Sequence, residues 1–301
     1  MVDKYLVSLS AFTRFGPART RLLISYFKSA EKVWKSPLGD LSEVGLSANI
    51  VKEFVEFRKK FDIGSYFEKL SKLNVKVTTY LEDDFPKNLK DLEGSPTTLY
   101  YKGTLTGLNA PSVAIVGTRR MTYYGKIVTE KFSGELSSFG VTIVSGLARG
   151  VDTAAHTACL SHGGITIAVL GNGLDTVYPS ENVKLAEEIV KKEGAIVSEY
   201  PIGHPIRPEN FTIRNRIVSG LSTCVLVVEG AERSGTLSTA SHAAEQGKTV
   251  FAIPGQITSP LSAAPLFLLR NGATIATETK DILDELGIKA KDVRGKESFA
   301  S

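Results

Sequence analysis

The chain has 301 residues, 42% of them hydrophobic, and a formal net charge of +4. That length suits one large domain plus a smaller one, and the apolar fraction supports an ordinary globular core. No apolar run is long enough to cross a bilayer, and the start MVDKYLVSLSAFTRFG has neither a long apolar core nor a small-residue cleavage site. Neither a membrane span nor a secretion signal is therefore expected. The two cysteines, Cys159 and Cys224, fall in apolar stretches and read as packed, reduced thiols of a cytoplasmic protein. A net charge this small does not mark a nucleic-acid binder, but its distribution is uneven. Residues 1–78 hold 14 Lys and Arg against 8 Asp and Glu, whereas the remainder holds 22 against 24. Any basic site in the larger part must come from local clustering.

Residues 1–78 lack strand alternation. Phe12, Phe15, Leu22, Leu23, Tyr26 and Phe27 recur at helical spacing, and further helices are expected over 30–35, 47–61 and 63–73. The layout resembles SAM-like or helix-hairpin-helix modules, with Arg14, Arg19 and Arg21 either touching a DNA backbone or forming a solvated face. A connector follows, with one strand over 75–80 and a short extended piece over 99–102. Pro86, Pro96 and Pro111 argue against long helices there. From Ser112 the chain alternates. Strands are expected over 113–116, 141–144, 166–170, 195–198, 224–228, 250–253 and 273–276. Helices are expected over 124–139, 153–162, 180–192, 212–221, 236–246 and 263–270, with a last turn over 281–286. Such alternation implies right-handed crossovers and an α/β fold with a mainly parallel sheet, helices on both faces. The domain reading is a helical unit over 1–78, a sheet unit with its connector over 79–286, and a charged tail over 287–301.

The organising stretch runs from Val113 to Gly164. Two wholly apolar β-branched runs, of the kind buried on both faces of a parallel sheet, end abruptly. The first ends at Gly117-Thr118-Arg119-Arg120. The second ends at Ser145-Gly146, with Arg149-Gly150-Val151-Asp152 just beyond. Later strands deliver Gly171-Asn172-Gly173, Glu199-Tyr200-Pro201, Glu229-Gly230 and Pro254-Gly255, and Ser234-Gly235-Thr236 opens a helix. In open α/β sheets ligands bind beyond the carboxyl ends of the strands. Glycine lets backbone N–H groups approach closely, arginine offers a forked donor, and a helix start offers unpaired N–H groups to an anion. The rim is thus read as a site for phosphate-bearing material.

Rival chemistries are weaker. Ser145, Asp152 and His156 invite a hydrolase triad, but no G-x-S-x-G elbow accompanies them, and Asp152 suits the first turn of a helix. His156 and His162 lie about 240° apart around a helix, so one metal ion would not easily reach both. Gly125-Lys126 lacks the spacing of a P-loop, and no G-x-G-x-x-G follows the first strand. No catalytic residue, metal or cofactor is assigned.

These motifs, in order, resemble the DprA/Smf family of DNA-processing proteins. The likeness is carried by Val116-Gly117-Thr118-Arg119, by Ser145-Gly146-Leu147-Ala148-Arg149-Gly150-Val151-Asp152, and by Gly173-Leu174-Asp175 with Tyr178-Pro179. It is carried further by Arg214-Asn215-Arg216-Ile217, by Glu229 with Ser234-Gly235-Thr236, and by Pro254-Gly255. Thr212 stands where the family has proline. The resemblance implies an extended Rossmann-like domain that binds single-stranded DNA without turnover, forms homodimers, protects incoming strands and helps load the RecA recombinase in natural transformation. It assigns Arg119 to the DNA pocket and Phe211 to Arg216 to its border. On that reading Arg119, Arg120, Arg149, Arg207, Arg214 and Arg216 ring the mouth. Backbone N–H groups at Gly117, Gly146 and Gly235 take phosphate oxygens, and Phe211 stacks a base. Leu266, Phe267 and Leu269 form either core packing or a dimer contact. The alternative is a nucleotide hydrolase of the lysine-decarboxylase-like group, whose P-G-G-x-G-T-x-x-E run is missing at Pro254-Gly255-Gln256-Ile257. A third reading is a scaffold for the recombinase, with DNA incidental.

Overall fold

The computed structural model describes residues 2–232 and 234–289. The chain divides into two compact units. The first takes in Met1–Lys102, Gly171–Thr176 and Val197–Arg207; the second takes in Gly103–Leu170, Val177–Ile196 and Pro208–Ser301. The boundary expected at 78/79 falls inside the first unit. Of the tail expected over 287–301, residues 290–301 lie outside the described residues.

The first unit opens with six helices: α1 (Lys4–Ala11), α2 (Gly16–Phe27), α3 (Ala30–Lys35), α4 (Leu38–Glu43), α5 (Ala48–Lys60) and α6 (Ile63–Lys72). The run of apolar residues from Phe12 to Phe27 is not one helix. Gly16 takes a positive φ of 61° and Pro17 follows, so the chain turns between α1 and α2. The helix starts follow side-chain chemistry. Asp3 accepts from the Tyr5 and Leu6 amides and Ser29 from Lys32, relieving first-turn donors. An aromatic cluster fills the centre, with Phe12 and Phe54 each within 5 Å or so of Phe15 (ring centroids 4.8 and 4.7 Å). The Arg58 guanidinium closes α3 by donating to the Trp34 and Ser36 carbonyls, both at 2.6 Å. Arg14 pairs with Glu53 at the surface, and Arg21 lies over the Tyr80 ring at 4.3 Å. Strand β1 (Lys76–Thr79), a single turn α7 (Lys87–Lys90) and strand β2 (Thr98–Gly103) follow, β1 and β2 pairing antiparallel.

In the second unit the elements follow in alternation: β3 (Ser112–Val116), α8 (Tyr123–Ser138), β4 (Thr142–Ser145), α9 (Val151–Ser161), β5 (Thr166–Val169), α10 (Val183–Lys191), β6 (Ala195–Ser198), α11 (Pro208–Leu221), β7 (Cys224–Val227), α12 (Gly235–Glu245), β8 (Val250–Ala252), α13 (Ala263–Arg270), β9 (Thr274–Ile275) and α14 (Thr279–Glu285). The strand order is β6-β5-β4-β3-β7-β8-β9, and the pairs from β5 through β9 are parallel. β3, β4, β5 and β7 are buried at every residue, as their unbroken apolar runs require. Alternation along β3 sends Val113 and Ile115 to a core shared with Phe132 and Leu136 of α8, Val151 and Cys159 of α9, and Ile282 of α14. Helices α11 and α12 pack against the same strands with Ile217, Val218 and Ala240 buried. Both cysteines are buried free thiols, pushed up by burial to about 11 at Cys159 and about 12 at Cys224. Among the described residues no helix is long and apolar enough to cross a membrane.

One helix differs from expectation where it matters. α11 begins at Pro208, not at residue 212. Proline suits the first helical position, where its missing N–H is no loss, and Glu209 in the same turn meets the positive end of the helix dipole. The far end is closed by Lys248, whose ammonium donates to the carbonyls of Ser219, Gly220 and Ser222 at 2.6–2.7 Å. α11 is therefore held at both ends.

Candidate nucleic-acid interface

The strand order reverses between β3 and β7. Chain leaving β3 returns to β4 on one side, while β7 lies on the other. At such a switch point the loops diverge and leave a crevice. A cavity of about 460 Å³ sits there, walled by the loop after β3, the start of α9, the first turns of α11 and the start of α12. Two close contacts fix the loop after β3. The Thr118 amide donates to the Glu229 carbonyl at 2.8 Å, and the Val151 amide donates to the Thr118 carbonyl at 3.2 Å. Gly150 permits the second contact. Its φ is +76°, and a Cβ there would lie 2.3 Å from the Thr118 carbonyl oxygen.

The floor is a buried polar cluster. Arg214 is 4% exposed, and its Nη1 donates to the Gly146 carbonyl at 2.7 Å and to the Val169 carbonyl. Asp152, buried in the first turn of α9, accepts from the amides of Gly146 (3.1 Å) and Ala148 (3.3 Å). Burial pushes its carboxyl up; the Arg214 charge and those two amides oppose the rise. The Gly146 amide is thus already taken. A Cβ at Gly146 would lie 2.6 Å from the Arg214 guanidinium nitrogens, so only glycine admits this floor. His156 faces Thr166, not Asp152. The Thr166 hydroxyl donates to the Ile143 carbonyl at 2.7 Å, so it accepts from His156 Nδ1–H at 2.6 Å. Burial, then the Arg214 charge, push the imidazole down to about 3, and its Nε2 has no hydrogen-bond partner among the described residues. Ser145 donates to the Ile115 carbonyl at 2.7 Å. With His156 committed to Thr166, the three residues do not form a Ser–His–Asp relay.

The mouth is different. Arg119 and Arg120 are exposed and line the cavity with Gly117 and Thr118. The Arg119 guanidinium lies 5.6 Å from the centre of the Phe211 ring. Phe211 sits in the first turn of α11, and its ring meets Tyr178 at 5.4 Å between centroids. Asn215, one turn on, donates to the Gly235 carbonyl at 3.1 Å and joins α11 to the start of α12. There Ser234, Gly235 and Thr236 line the wall; the Leu237 amide donates to the Ser234 carbonyl at 3.1 Å, and the Gly235 and Thr236 amides open the helix. Ser234 Oγ is buried without a hydrogen-bond partner among the described residues.

The other expected residues lie elsewhere. Arg149 borders an adjoining cleft and pairs with Glu181. Gly150 acts through its backbone. Arg216 does not line the cavity; its carbonyl accepts from Gln246 at 2.9 Å. Arg207 is exposed and belongs to the first unit. The cap of α8 went unread in sequence. Glu229 accepts from the Thr122 amide at 2.9 Å and the Thr122 hydroxyl at 2.5 Å, which takes its carboxylate out of the site. Tyr178, beside Pro179, was legible as a strand-end residue without a role.

An open, mainly parallel sheet with a glycine- and arginine-lined pocket at its switch point defines a Rossmann-like protein. A family model described as DNA recombination-mediator protein A matches residues 76–287, and the chain belongs to that family, the DprA/Smf proteins. It is 42% identical to Protein Smf of Escherichia coli over 82% of this chain and 66% of that one. It is 38% identical to the DNA processing protein DprA of Streptococcus pneumoniae over 82% of this chain and 86% of that one. The X-ray structure of the Streptococcus pneumoniae DprA superposes with a TM-score of 0.81 at 33% identity, covering 94% of this chain and 98% of that one. DprA of Helicobacter pylori, whose structure concerns its single-stranded DNA binding mode, superposes with a TM-score of 0.63 at 34% identity over 70% and 95% of the two chains.

Proposed function

We propose that the chain binds single-stranded DNA in the pocket between β3 and β7 and acts there without turnover. The observation that carries this reading is the pairing of exposed cations with an aromatic at one mouth: Arg119 and Arg120 exposed, and Phe211 beside the Arg119 guanidinium. Cations track a phosphate backbone, and aromatic rings accept unpaired bases of any sequence. Paired bases cannot splay onto such a platform, so duplex is disfavoured. The Helicobacter pylori relative supports the choice of strand. The engagement of Ser145, His156 and Glu229 with neighbours supports a binding role over the hydrolase alternative.

Family membership extends the proposal to a cytoplasmic homodimer that shields incoming strands and hands them to the RecA recombinase in transformation. Leu266, Phe267 and Leu269 on α13 are the candidate dimer contact, and Phe267 is 54% exposed. A gel shift with one labelled oligonucleotide, single- against double-stranded, over a salt series tests the core of the reading. Single strands are expected to shift at lower protein concentration, with affinity falling as salt rises. Equal affinity for duplex would sink it, and release of free base from nucleoside monophosphates would favour the hydrolase.

A further inference from the structure

Beside the main pocket runs a narrow cleft bounded by Arg149, Tyr178 and Pro179. It shares Arg119, Phe211 and the Arg214 floor with the pocket, so the two are contiguous. The Tyr178 and Phe211 rings diverge by 33°, which makes a wedge rather than a closed stack. On the facing side, Arg149 Nε donates to Glu181 Oε1 at 2.9 Å, and Nη2 donates to the same oxygen. The carboxylate thus holds the guanidinium fork as a phosphate oxygen would. Both side chains are about half exposed, 56% and 55%, so burial does not lock the pair. An exposed ion pair is weak, and a polyanion can displace its acid.

We propose that Tyr178 and Arg149 form a second nucleotide subsite, in which Glu181 holds Arg149 until a backbone phosphate of the bound strand takes its place. The subsite rests on the single-strand reading above and deepens it. Arg149 supplies the phosphate contact, and Tyr178 supplies a second aromatic wall next to Phe211. Glu181 is a placeholder that lowers affinity and discourages capture of weaker anions.

Fluorescence anisotropy of a labelled oligo-dT with the full chain tests this. Glu181→Gln is expected to tighten binding about two- to fivefold at low salt, the size of one exposed ion pair. Arg149→Ala is expected to weaken it and to flatten the slope of log affinity against log salt by about 0.7, one phosphate contact on a single strand. The double variant should bind as Arg149→Ala does, because Glu181 acts only through Arg149. Tyr178→Ala should weaken binding about tenfold, with Tyr178→Trp close to wild type. Thermal melts of each variant check that the fold is intact. The subsite is overturned if Glu181→Gln binds no tighter, or if its gain survives in the Arg149→Ala background, which would be a diffuse charge effect. It is also overturned if Arg149→Ala and Tyr178→Ala both bind as wild type while Arg119→Ala is weakened; the main pocket then stands alone. Wild-type protein with no preference for single strands would instead remove the pocket reading, and the subsite with it.

Discussion

Arg119 and Arg214 line one pocket, yet they do opposite work. Arg214 is 4% exposed and bonded to two backbone carbonyls, with a buried carboxylate nearby. Arg119 is exposed, and its guanidinium meets the face of an aromatic ring. The floor is a finished structure and the mouth is an open one. A buried guanidinium anchored to backbone carbonyls inside the protein shapes a site. One that water now solvates can exchange water for phosphate.

The largest expected effect is on the floor. Arg214→Ala should lower unfolding free energy by about 3–5 kcal/mol, since it strands Asp152 and leaves two carbonyls without their donor. Arg214→Lys should recover little of it, because an ammonium cannot reproduce the planar fork. Urea denaturation reads this directly. A stable Arg214→Ala protein that merely binds DNA poorly would erase the distinction between floor and mouth. The next effect is the mirror image. Arg119→Ala should leave the urea midpoint unchanged while single-strand affinity drops about tenfold and the salt slope flattens by about 0.7. Binding equal to wild type would dismiss the assigned pocket.

This division also explains what the sequence could disclose. Strands β3, β4, β5 and β7 announce themselves because burial on both faces demands unbroken apolar runs, and glycine marks where they stop. The rim followed, since a parallel sheet brings those stops to one edge. The individual roles of the arginines did not follow. Arg214 becomes structural only because the Gly146 and Val169 carbonyls arrive from β4 and β5, contacts no local pattern encodes. Arg216 falls in the same helix as Arg214, in the expected span 212–221 as in α11. Two residues apart on a helix, the two side chains lie about 200° apart, and a single pocket does not receive both. The assignment of 171–176 and 197–207 to the first unit was equally hidden, because it depends on contacts far along the chain.

The smallest effect separates floor from mouth by pH. His156 is buried and neutral, with its imidazole pushed down to about 3 from an ordinary value near 6.5. Below pH 6.5 the unfolded chain takes up a proton that the folded chain refuses, so folding stability falls with pH toward about 3. Between pH 7 and pH 5.5 the loss is about 1 kcal/mol, from a limiting slope of about 1.4 kcal/mol per pH unit. Asp152 acts in the opposite sense, since its raised carboxyl binds a proton in the folded state first, so wild type alone does not isolate the histidine. His156→Gln keeps a side-chain amide to donate toward Thr166 and removes the titration. Its stability should change less over this interval than that of wild type, by urea denaturation at each pH. Single-strand affinity per folded molecule should barely respond over the same range, because guanidinium groups at the mouth keep their charge. A parallel fall in affinity and stability would mean that the floor titrates into the site, and the separation drawn from Arg119 and Arg214 would not hold.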